Sequence, residues 1–147
     1  MREFRDSQGR PWKLALTLGT AMQVKSALGI DLLAPEVGDP PLLTRLATDE
    51  FLLGSVICQL LIGQMEAQKV TAEDVQAAFD GATMMAATEA FFAETADFFQ
   101  SRGRPDRATA VRKQTALIAA AVALANERVE AVDLTAALGE LSGASPG

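Results

Sequence analysis

The stretch from Ala82 to Gln100 sets the strongest constraint on how this chain folds. Met84, Phe91 and Phe98 stand seven residues apart, and Met85, Phe92 and Phe99 repeat that spacing one position later. Seven residues are close to two turns of α-helix, so each set stacks into a seam and the two seams lie side by side. Thr88 and Thr95 fall between them, while Glu89, Glu94 and Asp97 fall on the other side. Four of the chain's seven phenylalanines sit here. At about 1.5–3 kcal/mol for each buried side chain, this face is expected to be a main source of stability. The competing reading of such a stripe is a partner groove. Elsewhere large side chains are scarce: one Trp and no Tyr, against 27 alanines in 147 residues. A core of that kind is thin, helical and built on small residues.

The N-terminus reads differently. Arg2 to Arg5 is a short extended piece, and Asp6-Ser7-Gln8-Gly9 is a turn, with Asp at its start and Gly at its end. Trp12, Leu14, Leu16 and Leu18 then alternate with Lys13, Ala15 and Thr17, the period of a half-buried strand. Pro11 opens that strand, where a missing N–H is tolerated. The pieces form a β-hairpin, which needs helices to cover its apolar face. Thr20 is expected to cap a short helix over Ala21–Leu28, ended by Gly29. A loop through Pro35–Pro41 and a helical turn near Leu42–Ala47 follow. Asp49 caps a helix over Glu50–Gln68 that is apolar nearly all round and belongs at the centre of the core. Thr71 caps another, with Asp80-Gly81 as its stop. Pro105 suits the first turn of a long alanine-rich helix reaching about Val132, whose Val111, Thr115, Ile118, Val122, Ala125, Val129 and Val132 follow a heptad-like spacing.

The expected fold is therefore mainly α: an N-terminal β-hairpin packed on a bundle of about five helices, with a long Ala-rich C-terminal helix. Residues 1–100 form the hairpin and helical body. Residues 101–132 form the long helix, within the same domain or as a projecting arm. Residues 133–147 hold a short helix, Leu134–Leu141, and a disordered tail.

Composition narrows the chemistry. The chain has no His and one Cys, so it builds no Ser-His-Asp triad, no Cys-His pair and no multi-Cys or His zinc site. Cys58 reads as a buried small hydrophobe. Glu73 and Asp74 are adjacent on a helix, point about 100° apart and suit the helix dipole rather than a catalytic pair. Glu94 and Asp97 share a face but lack a third ligand nearby in sequence. No glycine-rich phosphate loop is present. The chain is expected to be a binding module, not an enzyme, with no cofactor or metal.

Charge is uneven. Residues 31–97 carry two basic and twelve acidic side chains, a net of −10, while the whole chain carries −6. Such a body disfavours nucleic acid as a partner. The basic side chains cluster at the start of the last helix: Arg102, Arg104, Arg107, Arg112 and Lys113. Positive charge there opposes the helix dipole. Two readings stand: neutralisation of the acidic body, or contact with a partner or a phosphate. These five, with Ile118, Val122 and Val129 on the alanine-rich helix, are the candidate partner-binding residues. The N-terminus has no apolar signal core, and the longest apolar stretch, Phe51–Ile62, falls below the roughly 20 residues of a membrane span. A cytosolic protein without a membrane partner is expected.

The opening Phe4-Arg5-Asp6-Ser7-Gln8-Gly9-Arg10-Pro11-Trp12 resembles small proteins encoded with the tails of tailed phages. So do the short helix with Val24 and Lys25, Gly29-Ile30-Asp31-Leu32-Leu33, Leu42–Leu46, Asp49 with its apolar helix, Thr71-Ala72-Glu73-Asp74 and Phe98-Phe99. Over residues 2–100 the chain is similar to the phage tail assembly chaperones of long non-contractile tails. That resemblance implies a non-enzymatic role in the host cell cytoplasm. The partners it implies are the tape-measure protein, kept soluble, and the tail-tube protein, loaded around it. Homo-oligomer formation stays open. The alternatives are a virion structural protein of the neck or tail, and an acidic regulatory adaptor.

Overall fold

A computed structural model describes residues 1–143, with side chains as far as Ala131; residues 144–147, part of the expected tail, lie outside the described residues. The chain is mainly helical. An antiparallel hairpin of β1 (Arg2–Arg5) and β2 (Pro11–Leu14) precedes α1 (Leu18–Leu28), α2 (Leu42–Thr48) and α3 (Glu50–Gln68). Then come α4 (Ala72–Ala78), α5 (Gly81–Ser101) and α6 (Pro105–Gly143). Packing groups Met1–Thr115 into one compact unit, and the remainder of α6 from Ala116 forms another. The expected 101–132 segment is thus divided inside α6. Its helix also continues to Gly143 instead of ending near Val132 ahead of a separate turn of helix.

The hairpin is organised by one buried carboxylate. Arg2 pairs with Leu14 and Arg5 with Pro11, so the turn spans Asp6 to Arg10. The Gly9 N–H donates to the Asp6 carbonyl at 2.9 Å, and Gly9 takes the left-handed φ of 78° that suits glycine there. Asp6 Oδ1 accepts the backbone N–H of Gln8 (2.9 Å) and of Arg10 (3.0 Å). Its Oδ2 accepts the Trp12 indole N–H (3.0 Å) and the Arg10 guanidinium (3.3 Å). Burial by itself would raise the Asp6 pKa, but these bonds, Trp12's foremost, outweigh it and hold the carboxyl below its ordinary 3.8. The Ser7 N–H reaches the Ala78 carbonyl (3.0 Å), which ties the turn to α4.

Below the turn, Trp12 and Leu14 are fully buried, and Phe4 meets Phe79 edge-on at 5.6 Å. Strand β1 packs on α5 and β2 on α3. Gln64 closes the second contact by donating to the Lys13 carbonyl (2.7 Å) and accepting its N–H (2.8 Å).

The alternation from Trp12 to Leu18 overstates the strand, which ends at Leu14. Thr17, not Thr20, caps α1, and the two threonines form a reciprocal capping box that starts the helix at Leu18. Gly19 therefore lies inside the helix rather than breaking the strand, and Leu18 points outward at 64% exposure. Gly29 ends α1 with φ of 69°, as expected.

Helix α3 has the predicted bounds, and the Asp49 carboxylate accepts the N–H groups of Phe51 and Leu52 (3.1 Å each). Leu53, Val56, Ile57, Leu60 and Leu61 are buried where α1, α2, α4, α5 and β2 surround it. It is not covered all round, because Phe51, Ser55 and Glu66 are exposed. Both α3 and the Pro105–Ala131 part of α6 are long and apolar enough to cross a membrane, at a mean hydropathy of 1.2 each. A criterion based on the unbroken run Phe51–Ile62 misses this. In α3 that apolar character serves the contacts just described.

Asp80 and Gly81 do not stop α4; Asp80 accepts the Thr83 N–H (2.9 Å) and caps α5. Along α5, Phe91, Phe92 and Phe99 are buried with Ala87, Ala90 and Ala96. The paired-seam expectation fails at three positions: Met85 is 58% exposed, and Met84 and Phe98 are half-buried. It also misplaces Glu94, which is buried. Glu94 pairs with the Met1 ammonium (2.5 Å), and Asp97 pairs with Arg2. The hairpin covers that side of the helix, so its cations turn an outward carboxylate into a buried one.

Asp6→Asn puts an amide N–H against the Trp12 indole N–H or the Arg10 donors. We expect it to cost about 1–3 kcal/mol in urea unfolding at pH 7. The Asp6 contribution should be full above the unfolded carboxylate pKa of about 3.9 and fade as pH falls through the lower folded value. The gap between wild type and variant should therefore narrow in acid. Phe99→Ala should cost about 3–5 kcal/mol by the same measurement, and Phe98→Ala clearly less.

Candidate partner-binding cleft

The basic cluster is partly internal to the fold. Arg104 precedes α6, and its carbonyl accepts the Ala108 N–H (3.1 Å). Its guanidinium grips Asp106 with two bonds, Nε to Oδ1 at 3.0 Å and Nη2 to Oδ2 at 2.9 Å. That grip holds the Asp106 carboxyl down at about 2. The acid sits in the first turn, where it also complements the helix dipole. Arg107 donates to the Leu33 carbonyl and to Glu36, and its guanidinium carbon lies 5.6 Å from the centre of the Phe99 ring. It pins the Leu33–Glu36 loop to α5 and α6. Arg112 reaches Gln100 only at 3.4 Å, and Arg112, Arg102 and Lys113 are exposed. Of the five cations, Arg107 thus neutralises an acid of the body, Glu36, Arg104 pairs with Asp106 of its own helix start, and the other three face solvent.

The apolar candidates lie beyond Thr115, in the second unit. There Val122 and Val129 are 44% and 59% exposed, and Ile118 is half-exposed. The three share one heptad-like row, and Leu117 and Leu124 are exposed on the same helix.

The first unit holds a feature that the sequence pattern does not announce: a cleft of about 670 Å³. Its long wall is the uncovered side of α3, with Phe51, Ser55, Cys58, Gln59 and Ile62. Ala72 and Gln76 of α4, then Phe79 and Met84, form the opposite wall, and Leu28 closes one end. Phe51 stands at 91% exposure. Cys58 is half-buried in this lining rather than sealed in the core, and burial pushes its thiol pKa up, so it is a poor nucleophile. Local rules build each part of the cleft: Asp49, Thr71 and Asp80 cap its three helices. The sequence signal for it is Phe51, the one large aromatic of α3, which falls outside that helix's buried row.

Among the described residues, no group of three or more His, Cys, Asp or Glu side chains comes together to hold a metal ion. Glu94 and Asp97 are each taken by a cation of the hairpin. Glu73 is exposed, and the Asp74 carboxylate accepts the Thr71 N–H (2.9 Å), which lowers its pKa. What this unit offers a partner is shape, apolar area and negative charge. No protein-family model matches the chain, and no curated protein or solved structure matches it.

A Phe51→Ala variant should unfold within about 0.5 kcal/mol of the parent, because the ring packs on nothing that folding needs. Arg107→Ala should cost about 1–3 kcal/mol, by loss of charged hydrogen bonds and of the contact with Phe99. Thermal melts followed by circular dichroism would read both.

Proposed function

We propose that the protein is a non-enzymatic tail assembly chaperone, which holds the helical tape-measure protein in the host cytoplasm and hands it to tail-tube subunits. The observation that carries this reading is an open apolar cleft with an exposed Phe51 on a strongly acidic body. An apolar helix needs its face covered to stay out of aggregates. A carrier of high net charge keeps the complex dispersed. The resemblance of the Phe4–Trp12 hairpin and the later capped helices to such chaperones supplies the identity of the client. The exposed side chains of α6, Val122 and Val129 among them, are a second apolar surface for the same work.

Co-expression with a phage tape-measure protein tests the reading. The tape-measure protein should stay in the soluble fraction only when this chain is present. Equal pelleting with and without it contradicts the proposal. Purified particles should lack the protein; its retention there points to a structural role instead.

A further inference from the structure

The cleft also states the chemistry of its occupant. Among its lining residues the single charged side chain is Glu50, and there is no cation. Apart from Leu28, the lining comes from residues 49–84, which carry six acids and one base, Lys69, for a net of −5. The carboxylates of Asp49, Asp74 and Asp80 stand at the starts of α3, α4 and α5, where each accepts a backbone N–H. Gly54 lies in the second turn of α3 and lines the cleft, and a Cβ added there would meet no atom within 4 Å. A glycine inside a helix is less favourable than alanine, and nothing packed inside the protein requires this one. Its absent side chain leaves the floor open to something from outside. Met65 and Met84 add adaptable apolar walls.

We infer that the cleft binds one face of an apolar α-helix whose flanks carry lysine or arginine. The apolar face seats on Gly54 between Phe51 and Met84, and the flanking cations meet the acids at the starts of α3, α4 and α5. This inference rests on the proposed carrier role and names the part of the client that the carrier recognises. A helix with acidic flanks would meet like charge on every side.

The test uses the full-length protein and two synthetic helical peptides with one leucine-alanine core, flanked by lysines or by glutamates. Fluorescence anisotropy should show the lysine peptide binding at least about tenfold more tightly, with the difference shrinking as salt rises. Phe51→Ala and Gly54→Leu, which removes the rim and fills the floor, should each weaken it about tenfold or more. Met22→Ala, at an exposed methionine on α1, should not. Both cleft variants should melt like the parent. Equal binding of the two peptides, or binding unmoved by either cleft variant, overturns the inference. The two levels separate cleanly. Peptide binding at the cleft with an insoluble tape-measure protein would keep the cleft chemistry and reject the carrier role. A soluble tape-measure protein with no peptide preference would do the reverse.

Discussion

The buried carboxylate of Asp6 is the contact on which the first unit depends. It gathers two backbone N–H groups, the Arg10 guanidinium and the Trp12 indole N–H, and so fixes both the turn and the largest side chain of the core. A lone buried carboxylate is costly, and one that accepts four bonds is stabilising and specific about geometry. With Trp12 placed, β2 lies on α3 and β1 on α5. Arg2 and the Met1 ammonium then meet Asp97 and Glu94, which locks the hairpin across α5.

That arrangement explains why α3 is both a core helix and a surface. The hairpin, α1, α2 and α5 bury its Val56, Ile57 and Leu61 row. Only the side carrying Gly54, Cys58 and Ile62 stays open, and α4 stands across from it as the second wall. A small protein gains stability from every apolar row that it covers, so a row left open beside an exposed phenylalanine costs stability in the isolated chain. The body that carries it is acidic, which suits an apolar surface that must stay in solution.

Much of this is legible in the sequence, because local chemistry decides it. The bounds of α3, the Asp49 and Thr71 caps, Gly29 after α1, Pro105 at the start of α6 and the turn at Asp6 follow from one residue's hydrogen-bonding or backbone preference. The failures share a cause, since each depends on a neighbour distant in sequence or on two local rules in competition. Leu16 and Leu18 keep the strand period, yet the Thr17–Thr20 capping box claims them for the helix entry. Glu94 sits with other acids on the sequence wheel, but the chain's own first residues fold over it. Arg107 reads as part of a free basic patch, and a loop 71 positions away in sequence takes its charge. The cleft is the hardest feature to see, because it is the gap that three correctly expected helices leave between them.

Amide hydrogen exchange of the protein alone and with the proposed helical client would test the cleft as a helix-binding seat most directly. A helix seated in the cleft should bring new protection to α4, whose amides open most easily in a two-turn helix, and to the open side of α3 around Gly54, with the β1–β2 hairpin unchanged. Protection confined to α6 beyond Thr115, with α3 and α4 exchanging as in the free protein, would contradict it.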